Sequence, residues 1–119
     1  MPDYERKGEK AMTVNELCSS CSFEKICIPD GEKEVSGAYI GDLLSWVMGR
    51  ANEGNAWITI MNNINVIAVA SLSDVACVIL AEGVTLDENL RATAEQKEIN
   101  VLSSPLPAFE TAQLLIGKV

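Results

Sequence analysis

Val75-Ala76-Cys77-Val78-Ile79-Leu80 is an unbroken apolar run that ends at Ala81-Glu82-Gly83. It is too short for a buried helix and carries β-branched residues, so it reads as a central strand buried on both faces. Such a strand needs helices above and below it, and parallel neighbours need crossover elements, usually helices. That demand decides the segment just upstream. Residues 64–72 are rich in β-branched side chains, and Asn62-Asn63 before them would suit a hairpin turn. Ile64, Ile67, Ala68 and Ser71 also recur at helical spacing, and the need for a crossover selects the helix.

The same alternation continues in both directions. Upstream, residues 56–61 read as a strand with Ile58 and Ile60 on one face, ended by Asn62-Asn63. Asp42 is a suitable N-cap for a helix running to about Ala51, with Leu43, Leu44, Val47 and Ala51 inward and Trp46 alongside. Gly54 supplies a left-handed position after it. Residues 23–28 and 35–40 read as strands flanking the Pro29-Asp30-Gly31 turn, which pairs them as a hairpin. Thr13-Val14-Asn15-Glu16 is a capping box opening a helix whose apolar face is Val14, Leu17, Cys18 and Cys21. Downstream, Thr85-Leu86-Asp87-Glu88 reads as a second capping box, for a helix to about Glu98 with Leu86, Leu90 and Ala94 inward. Residues 100–102 form a short strand, and Pro107 suits the first turn of a last helix lined by Ala108, Thr111, Ala112, Leu115 and Ile116. The pattern predicts an α/β fold: a three-layer α/β/α arrangement with a mainly parallel central sheet.

The chain has 119 residues, enough for one domain with its own core. Residues 1–11 read as a charged, flexible tail and 12–119 as the single domain. A net charge of −8 repels phosphate backbones and anionic lipid heads, so neither nucleic acid nor a membrane surface is an expected partner. The N-terminus lacks the apolar segment of a signal peptide, and Ser71, Ser73 and Asp74 interrupt the longest apolar stretch. A cytoplasmic location is therefore expected.

The chain contains no histidine. That removes the commonest general base and the commonest zinc ligand. A Gly-x-x-x-x-Gly-Lys-Ser/Thr phosphate loop is also missing; Gly117-Lys118 stands alone. Cys18, Cys21 and Cys27 raise the alternative of a small redox or metal-carrying protein. Their i, i+3 spacing also fits small buried hydrophobes on a helix face, and Cys77, the remaining candidate ligand, sits in the apolar strand. No metal and no cofactor is expected. The better candidate site is the set of polar residues at strand ends: Gly41 and Asp42, Asn62 and Asn63, Glu82 and Gly83, Ser103 and Ser104. In a mainly parallel sheet these fall on the carboxyl edge, where open α/β sheets bind ligands. Amides, hydroxyls and backbone donors there suit a small polar ligand. The same residue types also serve ordinary turns and caps.

Taken together, four stretches resemble the DRTGG domain family. Val35-Ser36-Gly37-Ala38-Tyr39-Ile40-Gly41 is similar to the family's strand and glycine before its first long helix. Ala56-Trp57-Ile58-Thr59-Ile60 is similar to the next strand. Val75 through Gly83 resembles the strand that ends in a Thr-Gly-Gly-like turn. Ile99-Asn100-Val101-Leu102-Ser103-Ser104 with Phe109-Glu110-Thr111-Ala112 resembles the last strand and the aromatic-x-Thr-Ala start of the final helix. The likeness covers roughly Met12 to Leu115. Two departures stand out: Asn62-Asn63 replaces the usual Gly-Asp-Arg, and Ala81-Glu82-Gly83 replaces Thr-Gly-Gly. Such domains regulate phosphotransacetylases, accompany CBS domains in pyrophosphatases, and resemble the N-terminal region of HPr serine kinases. The resemblance implies a non-catalytic module that senses a ligand or docks on a partner enzyme, as a homodimer.

Overall fold

The computed structural model describes residues 11–119. Apart from Ala11, the expected tail lies outside the described residues. The elements run α1 (Val14–Cys21), β1 (Glu24–Cys27), β2 (Ala38–Ile40), α2 (Leu44–Arg50), β3 (Ala56–Thr59), α3 (Ile64–Ser73), β4 (Cys77–Leu80), α4 (Glu88–Gln96), β5 (Val101–Ser103) and α5 (Ala108–Leu115).

One five-stranded sheet has the order β1-β5-β4-β3-β2. Strands β2 to β5 are parallel, and β1 joins β5 antiparallel with a bulge between Lys25 and Cys27. Each parallel strand is laid beside its predecessor in the same direction. Right-handed crossovers then place α2, α3 and α4 on one face, and the packing agrees. On that face Trp57, Val78, Leu80 and Val101 meet Val47, Val66, Ala70 and Ala94. The alternate residues Ala56, Ile58, Cys77, Ile79 and Leu102 point the other way, to Val14 and Leu17 of α1 and Leu115 of α5. The three-layer α/β architecture is therefore as the apolar patterning implied. The segment 64–72 is helical: Asn63 caps α3 by accepting from the Asn65 amide at 2.9 Å.

Several local expectations need correction; Leu43 and Ile116, expected to face the core, are exposed. Residues 23–28 and 35–40 do not form a hairpin; β1 and β2 occupy opposite edges of the sheet. After β1 the chain turns back along α1, with Val14 N donating to Lys33 O and Val35 N to Met12 O. Burial of Val35 beside α1 thus takes precedence over pairing with β1. Asp42 does not cap α2. Leu43 is the N-cap, without a side-chain bond, because the Asp42 carboxylate is held by β3. The α4 cap is Asp87, accepting from Leu90 N at 2.8 Å, two residues later than the Thr85 box. Ile60 does not share the inward face with Ile58, because β3 ends at Thr59 and leaves Ile60 exposed.

Candidate functional site

Because β2 to β5 are parallel, all four pairs of strand-end residues lie on the carboxyl rim of the sheet. At the β2 end, Gly41 N donates to Ile58 O at 3.1 Å, and Trp57 Nε1 donates to Gly41 O at 2.9 Å. The neighbouring Asp42 Oδ1 accepts from Thr59 Oγ1 at 2.7 Å and from Ile60 N at 3.0 Å. These bonds tie the ends of β2 and β3 together. One step on, Asn62 Nδ2 donates to Thr85 O at 3.0 Å, tying the end of β3 to the segment after β4.

The β4 end is a tight turn. Glu82 and Gly83 have φ of 61° and 72°, and Val84 N donates to Ala81 O at 3.1 Å. Positive φ at both central positions marks the turn class that favours glycine at each. A Thr-Gly-Gly turn meets that demand with two glycines; here Glu82 occupies the first of them. The turn is docked on the last loop by Glu82 N to Leu106 O at 2.9 Å and Gly83 N to Ser104 O at 2.8 Å. Ser103 Oγ donates to Val84 O at 2.8 Å. The Ser104 and Thr111 hydroxyls share a bond of 2.8 Å, and Ser104 Oγ also accepts from Leu106 N. Thr111 of the aromatic-x-Thr-Ala stretch therefore locks the β5–α5 loop.

The rim separates into two kinds of residue. Ser103 and Ser104 are buried and bonded inside the fold, so they hold the loops in place. Asp42, Asn62, Asn63, Glu82 and Gly83 are on the exposed surface. They present carboxylates, amide groups and backbone to solvent. The strand order never reverses among the parallel strands. The rim thus lacks the crevice that a reversal creates in doubly wound sheets. The Ser103, Ser104 and Thr111 hydroxyls bond to one another or to carbonyls, the Thr59 hydroxyl bonds to the Asp42 carboxylate, and the chain has no histidine to stand beside them.

The cysteines do not assemble. Cys18 and Cys21 pack on the α1–α5 side of the sheet and Cys27 on the α2–α4 side. Their thiols donate to Phe23 O, Leu114 O and Ile99 O at 3.3, 3.6 and 3.3 Å. Burial pushes all three thiols up from their ordinary range, and the fully buried Cys77 is pushed up to about 12. Among the described residues, no three His, Cys, Asp or Glu side chains are grouped to hold a metal. A metal centre built on Cys18, Cys21 and Cys27 therefore has no grouped ligands among the described residues. Nor is any helix among the described residues long and apolar enough to cross a membrane.

Two buried asparagines were not singled out by the sequence reading. Asn55 and Asn100 each stand one residue before a parallel strand. Asn55 Nδ2 donates to Ser36 O at 2.7 Å, and Asn100 Nδ2 donates to both Asp30 O and Ala76 O at 2.9 Å. The available signal was a side chain with two donors and an acceptor set directly against an apolar strand.

None of the curated proteins matches this chain. Among solved structures, one similar fold is the CBS and DRTGG domains of the regulatory region of Clostridium perfringens pyrophosphatase, complexed with its activator, diadenosine tetraphosphate. The TM-score is 0.70 at 18% identity, covering 91% of this chain and 47% of that one. This chain therefore spans about half the length of the structure it resembles. The family model of the DRTGG domain matches residues 11–116, nearly the whole described region. With the four sequence stretches and the rim they build now in place, this chain belongs to the DRTGG domain family.

Proposed function

We propose that the chain is a non-catalytic regulatory domain of the cytoplasm. It senses a small polar ligand along the carboxyl rim and acts on a partner enzyme as a homodimer. The observation that carries this reading is the division of the rim. Buried Ser103, Ser104 and Thr111 fix the loops, while Asp42, Asn62, Asn63 and Glu82 face outward. Such a surface supplies donors and acceptors for recognition; its one hydroxyl beside a carboxylate, Thr59 on Asp42, is buried and ties the ends of β2 and β3 together. Membership of the family supports it, as does the regulatory setting of the similar pyrophosphatase region, which was solved with a nucleotide activator.

The partner or second copy has a suitable surface on α2. Leu43, Trp46 and Arg50 fall on one helical face, and the Arg50 guanidinium stacks 3.7 Å from the Trp46 ring centroid. Trp46 and Leu43 are exposed, and β2 beside them is an edge strand. Tryptophan and arginine are the residues most enriched at binding hot spots.

Thermal unfolding against adenine mononucleotides, diadenosine tetraphosphate and small anions tests the ligand half. A saturable rise in Tm that Asn62→Ala and Glu82→Gln weaken is expected. No rise with any of them counts against the rim. Sedimentation of wild type and Trp46→Glu tests the dimer; a wild-type monomer at high concentration removes it.

A further inference from the structure

A second place in the molecule has the shape and chemistry of a binding site, independent of the rim. Helix α3 is apolar on its outer side as well as its inner one. Val66, Val69 and Ala70 are buried against the sheet, while Ile64 and Leu72 remain 51% and 73% exposed. Ile64, Ala68 and Leu72 follow at i, i+4 and i+8, a straight stripe facing α4. A helix apolar on all sides is expected to be covered on all sides. Between this stripe and α4 lies a groove of about 380 Å³. Its other lining groups include Ser71, Thr93 and Lys97.

Both helices return from the carboxyl to the amino edge of the sheet, so they run parallel. Ile64 therefore marks an apolar end, and Ser71, Thr93 and Lys97 gather at the opposite end, near the helix C-termini. The Thr93 hydroxyl is spent as a donor on Asn89 O at 3.0 Å. The donors available at the polar end are the Ser71 hydroxyl and the Lys97 ammonium.

Lys97 sets the sign of the ligand. Among the other described cations, Lys33 is paired with Asp74, Arg50 stacks on Trp46, Arg91 and Lys118 donate to carbonyls, and Lys25 is exposed on the edge strand β1, away from the groove. Lys97 is the charged group lining the groove, and no acidic side chain lines it with Lys97. On a chain of net charge −8, that sets one ammonium, with no carboxylate in the lining to offset it, at the end of an apolar trough where the negative C-terminal ends of α3 and α4 also lie. The geometry points to a small amphipathic anion: a single apolar chain lying along Ile64, Ala68 and Leu72, with a carboxylate or phosphate head at Lys97 and Ser71. The stripe spans roughly 12 Å at about 1.5 Å per residue, the length of an extended chain of roughly ten carbons.

The test uses decanoate and decyl phosphate below their micellar concentrations, with decyltrimethylammonium and inorganic phosphate as controls. Binding is read by thermal shift and by amide chemical shifts of the whole chain. Both anionic amphiphiles are expected to raise Tm saturably and to move the Ser71, Thr93 and Lys97 resonances. Lys97→Gln is expected to weaken binding at least tenfold, as is Ala68→Trp, which fills the groove. Both positions are on the surface, and circular dichroism checks that the variants fold. The rim variant Asn62→Ala is expected to bind decanoate like wild type, so failure here and failure at the rim are separable. Equal shifts with the cationic amphiphile, shifts that survive both groove variants, or no shift at all would each overturn the proposal. So would a dimer in solution that Ala68→Trp dissolves, since a second copy would then own the groove.

Discussion

Asn100 and Asp30, seventy residues apart, hold each other by both backbone groups of the turn. Asp30 N donates to Asn100 Oδ1 at 2.9 Å, and Asn100 Nδ2 donates back to Asp30 O at 2.9 Å. The same amide nitrogen reaches Ala76 O at 2.9 Å, so one 2%-exposed side chain joins the β1–β2 connection to the approaches of β4 and β5. Asn100→Ala leaves the buried Ala76 carbonyl without this donor and frees the turn. A loss of about 2–3 kcal/mol is expected, since a buried group left unpaired costs its desolvation. Urea unfolding checks it: the midpoint falls while the slope stays fixed. A loss below about 1 kcal/mol would mean that the turn holds itself.

The turn after β4 predicts two substitutions of opposite sign. Glu82 sits at φ 61°, where a Cβ is disfavoured, and Gly83 at φ 72°. Glu82→Gly relieves the strain and is expected to stabilise by about 0.5–1 kcal/mol after the added chain entropy is counted. Gly83→Ala is expected to destabilise by about 1–2 kcal/mol. A Cβ at Gly83 would meet nothing within 4 Å, so that cost is conformational and not steric. Thermal melts of both variants decide it. A neutral Gly83→Ala would show that the turn relaxes freely.

The layered sheet was legible because its apolar runs are unambiguous. Val75 through Leu80 admits few readings, and a parallel neighbour forces residues 64–72 into a crossover despite their β-branched content. The placement of β1 was not legible. Its partner β5 is more than seventy residues away, and a turn such as Pro29-Asp30-Gly31 looks the same whether it joins two paired strands or docks on Asn100. The error at α2 has a physical cause: a carboxylate serves equally as a helix cap or a cross-strand acceptor. Asp42 was drawn to Thr59 and Ile60 by a strand that lies beside it only in three dimensions. The rim residues were found by type, but which of them are buried supports depended on Thr111, which the sequence marked as a core position and as part of the aromatic-x-Thr-Ala stretch without showing its hydroxyl's partner.

Lys33 Nζ lies 2.8 Å from Asp74 Oδ1, joining the β1–β2 connection to the end of α3. The hydrogen bond from Lys33 holds the Asp74 carboxyl below its ordinary value of 3.8, with the lysine charge acting in the same direction. A folded-state value below the unfolded one stabilises the fold above the unfolded value, and this contribution is lost as pH falls through the folded value. The window is therefore acidic, below about pH 4. Both side chains are partly exposed, so solvent screening keeps the pair at about 0.5 kcal/mol or less. The stability difference between wild type and Lys33→Gln is expected to vanish at pH 2.5 and in 1 M salt. A difference that persists at low pH would assign it to packing of the lysine stem.

Cys77 makes the opposite, alkaline prediction. It is wholly buried beneath α1 and α5, and burial pushes its thiol from 9.0 to about 12. A folded value above the unfolded one contributes stability at pH below the unfolded value and loses it as pH rises through the folded value. Unfolding free energy is therefore expected to fall with pH between about 9 and 12, and Cys77→Ala is expected to flatten that slope. The variant itself costs on the order of 1 kcal/mol at neutral pH from the missing sulfur contacts. The same burial makes Cys77 a reporter of global opening. At pH 8 iodoacetamide should modify the half-buried Cys18 first, and Cys77 should react only at the rate at which the sheet opens. Mass spectrometry of timed digests follows each site. Rapid modification of Cys77 in the folded chain would mean that α1 or α5 detaches on its own, and that the second face of the sheet is not a fixed layer.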